Sequence, residues 1–538
     1  MTVLDTALTF LPEIFLLAGA LLIFLCDTLG LRRIELVGSI AVATVLLTLL
    51  LVFADLGFAP IAALTTIPSS QIDAAPGGGQ PLYWFTSLGL FFQLFFLFAA
   101  FLVALASMSR PSYERGAPVF FGLLLLATLG MMLVAVSSDL IFLLLAIEIV
   151  SIPSYLLVAY TRRGARSMEA AMKFYIIGAL STVLSFFGAS LLFGAYGSTN
   201  LFVLAAGPVP AGQSALVLIG YALLIAGLAF KITLVPFHAW AVDVYDGAPD
   251  DVSAFLAGGT KKIGLFAFFL VFLGPVILLN GVITFEWLPG LGAVSLGPMF
   301  QVTLSVLAVV TMTVGNVLAL MQKSMKRMLA YSSISQAGYM LIGIAIGTPA
   351  GLTGASLQVF AHVFMKSGAF LVVAAAATLG IGPWIADWKG MGERRPYLAL
   401  AFAVMLLSLA GVPLTVGFIS KFVLFSAAVN AQGYFVWLAV AGLLNSALSV
   451  FYYGRVLKVI YFDAPGPAVP LPSANVAPNP VAKASSALLG FAGIGYARGI
   501  AIAVAAAVIV LMGVYPGPIL QPLGAAAQHF WQLWQPPV

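Results

Sequence analysis

Along its 538 residues the chain strings together apolar runs of roughly 20 to 30 residues, separated by short polar interruptions. A helix needs about 20 mostly apolar residues to cross the hydrocarbon core of a bilayer. Within that core the backbone finds no water, so each run must satisfy its own hydrogen bonds as a helix. Breaking the runs at charged and Pro/Gly-rich turns gives fourteen spans, at about 8–29, 34–57, 82–107, 117–136, 138–160, 169–196, 213–246, 251–279, 300–321, 326–347, 352–380, 396–428, 433–462 and 498–516. The expected fold is therefore all-α and polytopic. A composition of 62% hydrophobic and 8% charged residues agrees, because soluble domains carry about a quarter charged. The first run holds Glu13 and has no Lys or Arg before it, so it reads as a retained span rather than a cleaved signal.

Basic residues alternate from loop to loop. Arg32 and Arg33 follow span 1, Arg110 and Arg115 span 3, Arg162, Arg163 and Arg166 span 5, and Lys323, Lys326 and Arg327 span 9. Lys389, Arg394 and Arg395 follow span 11, and Arg455, Lys458, Lys483 and Arg498 border the loop after span 13. The even loops from 2 to 12 have no Lys or Arg. By the positive-inside rule the odd loops are cytoplasmic, and both termini lie outside, on the periplasmic side of the cell's inner membrane. Topology thus accounts for the net charge of +5 without nucleic acid. Residues 60–81, with Gly77-Gly78-Gly79, form an external loop; residues 463–497, rich in Pro and Ala, form a cytoplasmic linker whose apolar stretch 487–494 is too short to span.

Spans 7 and 12 contain internal breakers, Pro236 in one and Gly411, Pro413 and Gly417 in the other. Broken helices are tolerated at membrane depth only where the freed backbone is buried or lines a wet cavity. Spans 4–8 and 9–13 form two five-helix units with the broken helix fourth in each, and an odd-numbered unit repeated in tandem is inverted. The implied organisation is a three-helix region (1–116), a first unit (117–279), a second, inverted unit (280–462), the linker (463–497), and span 14 with a tail (498–538).

Once the loop charges are set aside, topology leaves Glu148, Lys173, Lys231, Lys261, Lys262, Lys366 and Lys421 inside the spans, with His238 and His362. Ionisable groups at this depth cost on the order of 3 kcal/mol each and usually mark an ion or proton path. Glu148 and Lys231 are expected to pair, so that a small rearrangement changes which of them holds a proton. All the midplane cations are Lys, whose proton is more readily released than that of Arg. Lys262 points about 100° away from Lys261 around the helix, so one of the two, Lys261, is expected to face the path. His362 and Lys366 share a helix face at i, i+4. His238 is a candidate relay to Asp243, Asp246, Asp250 and Asp251, which otherwise read as a solvated turn starting span 8. The competing reading is of static pairs and of lysines snorkelling near helix ends, above all Lys173. One cysteine, Cys26, and three histidines leave little from which to build a redox or metal centre.

The stretches PFHAWAVDVYDGAP, SAFLAGGTKK, MKRMLAYSSISQAGYMLIG and LSLAGVPLTVGFISKFVLF, in this order, resemble the antiporter-like membrane subunits of proton-pumping NADH-quinone oxidoreductase, respiratory complex I. The likeness is in particular to subunit N, called subunit 2 in mitochondria and chloroplast-type complexes. It implies a central proton-carrying axis made by Glu148, Lys173, Lys231, Lys261 and Lys421, no cofactor in this chain, and further membrane-arm subunits as partners. Quinone is expected to meet the complex only through those partners. AHVFMKSGAF, with His362 and Lys366, is similar instead to the other antiporter-like subunits and to archaeal-type relatives fed by a reduced deazaflavin. A multisubunit cation/proton antiporter, which this family also resembles, and a purely structural scaffold are the alternatives.

Overall fold

A computed structural model of the protein describes residues 8–58, 61, 64–68, 70–73, 81–110, 113, 116–160, 165–206, 209–278, 282–284, 293–464 and 493–535. The 465–492 part of the expected linker, the glycine run 77–79, Arg115, Arg162, Arg163 and Lys483 lie outside the described residues. Among the described residues thirteen helices are long and apolar enough to cross a membrane. Two shorter apolar helices, Pro396–Ala410 and Val416–Asn430, are the halves of span 12. With span 12 counted once, the fourteen expected spans are all present. Spans 1–6 are Leu11–Thr28, Ile34–Asp55, Ser87–Ser107, Ala117–Ala135, Leu140–Val158 and Ala165–Tyr196. Span 8 is Asp250–Val276, spans 9–11 are Leu296–Met321, Met325–Ile346 and Pro349–Thr378, and spans 13 and 14 are Phe435–Tyr461 and Tyr496–Val514.

Both expected breaks occur, and each leaves backbone groups that find partners. Span 7 runs as Ser214–Ile232, opens through Thr233 at φ +65°, and resumes as Ala239–Gly247. The freed Phe230 carbonyl accepts from Trp240 Nε1 at 3.2 Å, and Val235 N–H donates to Thr311 Oγ1 at 3.1 Å. Span 12 opens at Gly411, whose φ of +88° is a left-handed value that suits glycine. Gly417 N–H donates to Ser408 Oγ at 3.1 Å across this break. Span 8, in contrast, is interrupted without unfolding: Leu256–Thr260 and Phe269–Leu278 are π-helical on either side of Lys261–Phe268.

Span 11 is buried through its whole apolar length, and spans 8 and 10 are nearly so. This follows from the packing, because span 11 touches spans 3, 8, 10, 12 and 14. Two features depart from the expected all-helical plan. Val282–Thr284 and Ala293–Ser295 pair as a short antiparallel hairpin between spans 8 and 9. The tail beyond span 14 is a further helix, Gly517–Leu533, which buries Leu523, Ala526, Ala527 and Phe530. It lies at the end of the bundle opposite the basic loops, where Trp531 Nε1 donates to the Gly347 carbonyl at 3.0 Å and Trp534 stacks on Phe202.

Candidate functional site

Glu148 lies in the middle of span 5, and its carboxylate is 4.0 Å from the Lys231 ammonium at the end of the first half of span 7. Thr182 Oγ1 of span 6 donates to the same carboxylate at 2.6 Å, and Lys231 Nζ donates to Ser151 Oγ at 2.6 Å. The expected pair is thus formed, with hydroxyls completing its hydrogen bonds. Beyond it, a cavity of about 20 Å³ is lined by Ser151, Ser154, Lys231, Thr260 and Lys261. That is room for about one water between the two ammonium groups.

Lys261 Nζ donates to the Ser333 carbonyl at 2.8 Å, while Lys366 Nζ donates to Ser332 Oγ at 2.6 Å. Both partners stand on span 10, which supplied no candidate in the sequence reading. A fully buried run of Ser332, Ser333, Ser335 and Gln336 lines this span. From Gln336 the polar chain continues, because Gln358 Nε2 donates to Gln336 Oε1 at 2.6 Å and Ser420 Oγ donates to Gln358 Oε1. The next residue is Lys421, whose Nζ donates to the Leu409 carbonyl at 2.9 Å, the Ala410 carbonyl at 3.2 Å and Ser446 Oγ at 3.0 Å. The signal that could have exposed this connection was in plain sight: YSSISQAGY is a polar stretch inside an apolar span.

Lys261 lines the cavity beside Lys231, whereas Lys262, next to it in the same α-helix and 1% exposed, donates Nζ to the Ala257 carbonyl at 3.2 Å. Two expectations need correction. The four aspartates do not form a merely solvated turn. Asp243 pairs with Lys173 at 2.8 Å and Arg327 at 3.1 Å, Asp250 with Lys326 at 2.9 Å, and Asp251 with Arg110 at 2.8 Å. Asp246 lies 3.9 Å from Arg327, and the fully buried Arg498 of span 14 lies 3.8 Å from Asp251. Burial opposes the charge on Arg110, yet Asp251, with Tyr113 and Asp250, raises its pKa above the ordinary arginine value. Nor is His238 joined to these carboxylates by a hydrogen bond or ion pair among the described residues. It sits half-buried at the break of span 7, with Nδ1 unpaired.

Lys173 stands apart from the axis. Its ammonium reaches Glu169 at 2.7 Å and Asp243 at 2.8 Å, and it lines a cavity of about 300 Å³ open at the basic end of the bundle. The structure therefore lines up the partly buried Glu148 and Lys231 with the buried Lys261, Lys366 and Lys421 through hydroxyls, amides and a small cavity, places His362 buried beside them without a hydrogen bond among the described residues, and leaves Lys173 and His238 on the basic side.

The family described as NADH:quinone oxidoreductase/Mrp antiporter, transmembrane, matches residues 137–449, more than half of the chain. The chain belongs to this family. The NADH:quinone oxidoreductase/Mrp antiporter family match covers spans 5–12 entirely, and so every residue of the buried axis. The F(420)H(2) dehydrogenase subunit N of Methanosarcina mazei is 42% identical over 388 residues, covering 70% of this chain and 75% of that protein. NADH-quinone oxidoreductase subunit N 2 of Sorangium cellulosum is 37% identical over 531 residues, 95% of each chain. A chain of respiratory complex I from Thermus thermophilus superposes with a TM-score of 0.71 at 26% identity, covering 95% of this chain and 98% of that one. A chain of the Mrp complex from Dietzia shares the fold, with a TM-score of 0.79 at 21% identity over 99% of this chain and all of that one. The expected kinship with subunit N is borne out, and relatives of this kind work within multisubunit membrane complexes.

Proposed function

We propose that this chain is the subunit N-type proton-translocating subunit of a redox-driven quinone reductase complex in the inner membrane. The observation that carries the reading is the 4.0 Å Glu148–Lys231 pair opening onto a cavity that Lys261 shares. A carboxylate at that distance holds the proton on Lys231. When a partner subunit draws Glu148 away, the proton is released through the cavity to Lys261, then by way of the span 10 serines and span 11 toward Lys421. Lys421 exchanges it with the outer side. On this reading the basic end faces the cytoplasm, the two five-helix units are inverted copies, and the vestibule beside Lys173 gathers protons. The chain holds no redox cofactor; electrons and quinone stay in partner subunits, and its lipid-facing surface is apolar.

The second reading, a cation/proton antiporter subunit, is favoured by the fold shared with the Mrp complex. Isolating the native complex through this chain and sealing it into vesicles separates the two. The proposal expects proton uptake driven by quinone reduction, with NADH or a reduced deazaflavin as donor, and unaffected by sodium. Sodium-driven proton flux in the absence of any electron donor overturns it in favour of the antiporter.

A further inference from the structure

Lys262 is the one buried lysine in span 8 that the axis above does not use. Its side chain is 1% exposed, and the one side-chain hydrogen bond it makes among the described residues is from Nζ to the carbonyl of Ala257 at 3.2 Å. That carbonyl lies five residues earlier, in the π-helical turn Leu256–Thr260. Charged groups reach Lys262 from two neighbouring elements: Lys261 on its own helix, and His362 and Lys366 on span 11. Lys231 of span 7 lies beyond Lys261, across the shared cavity. Spans 3 and 4, which also pack against span 8, contain no ionisable residue, and span 10 has Lys326 and Arg327 at its basic end and the tyrosines Tyr331 and Tyr339.

The cluster is thus Lys261, Lys262, His362 and Lys366, with no carboxylate among the described residues in contact with it. Lys261 and Lys366 are held by span 10 oxygens at Ser333 and Ser332. His362 is fully buried, and both its ring nitrogens lack a hydrogen-bond partner among the described residues. Several ammonium groups packed together without a counter-ion are strongly disfavoured, so few of the four groups can hold a positive charge at once. Lys261, Lys262 and Lys366 all lie among the charged groups around His362, and Lys261 also lines the cavity beside Lys231. Lys261 thus opens on the cavity it shares with Lys231 of span 7, which Lys262 does not line.

We propose that Lys262 is a second seat for the transferred proton, receiving it from Lys261 and passing it to the His362–Lys366 pair. The transfer is balanced: an N–H bond of the Lys261 ammonium breaks as one forms on neutral Lys262, and the excess charge moves with it. The carbonyl of Ala257 holds the ammonium form of Lys262 while it carries the proton. The inference rests on the proton-translocating reading given above.

The test compares Lys262→Met, Lys262→Arg and Lys262→His in the assembled complex in vesicles, with Glu148→Gln measured alongside. Proton translocation per assembled complex is expected to fall about tenfold or more in the Met and Arg variants, one lacking a proton site and the other keeping its proton fixed. Lys262→His is expected to restore part of it, with an optimum at lower pH because imidazole releases its proton about four pH units below lysine. Full translocation in Lys262→Met overturns the inference, as does rescue by Arg equal to rescue by His, which marks a purely structural cation. If Lys262→Met does not assemble, the Arg and His comparison decides alone. Loss in Glu148→Gln with none in Lys262→Met refutes only the second seat, whereas normal translocation in Glu148→Gln refutes the underlying reading.

Discussion

Lys421 bonds backward to Leu409 across the break in its own span, its ammonium 2.9 Å from the carbonyl of the preceding half-helix. Lys231 has the opposite relation to its break, ending the half that precedes it. In span 7 the freed carbonyl is met by the Trp240 indole; in span 12 the lysine itself meets it. The buried lysine of span 12 is thus also the group that satisfies its broken backbone.

Lys421→Met should accordingly do two things. It removes the donor from two helix-end carbonyls, costing about 1–3 kcal/mol, and it removes a proton site. Lys421→Arg keeps the donors and the charge but not the exchangeable proton. Thermal unfolding of the purified complex should show lower stability for Met alone, while both variants lose translocation. Normal translocation in Lys421→Arg would contradict a proton-exchange role.

Asp251 is fully buried and shared by Arg110 and the fully buried Arg498. Asp251→Asn leaves buried cations without their partner, a loss of roughly 3–5 kcal/mol. The expected outcome is poor assembly of span 14 against spans 3 and 8, read as low yield of intact complex and easy proteolysis near residue 498. Wild-type yield would show that the ion cluster contributes little.

A methyl group at Gly258 would sit 1.8 Å from Ser367 Oγ, the residue after Lys366. Gly258→Ala is therefore expected to push spans 8 and 11 apart, at about 1–3 kcal/mol, and to slow translocation without removing any titratable group. Unchanged translocation in Gly258→Ala would show that the contact between these spans is not critical to the path.

Lys173 is held by two carboxylates at the open basic end. Pairs of this exposed kind add little to stability and are screened by salt. Lys173→Met should leave thermal stability unchanged and translocation close to wild type. A loss as deep as that of a Lys231 variant would return Lys173 to the axis.

Much of this architecture was legible in the chain. Apolar runs set the fourteen spans, Pro236 and Gly411 marked the breaks, and the unexplained Glu148 and Lys231 proved to be neighbours. What hydropathy does not carry is long-range pairing: Asp251 and Arg498 meet from opposite ends of the sequence, and Arg498 had read as a loop charge. The π-helical turn Leu256–Thr260 before Lys261 and Lys262 leaves no periodic trace, since it shifts a hydrogen-bond register without a proline. The helix Gly517–Leu533 is too short and too polar to register as a span, and its burial depends on surfaces of spans 3, 8 and 11. The hydroxyls and amides of span 10 passed unnoticed because a search for charges overlooks neutral groups that can relay protons.

The central claim is that proton movement begins at the Glu148–Lys231 pair. The most direct test is the number of protons translocated per electron by the assembled complex carrying Glu148→Gln or Lys231→Met, with complex content matched to wild type. The account predicts that both variants lose most translocation, by about tenfold or more. Wild-type stoichiometry in both would contradict it.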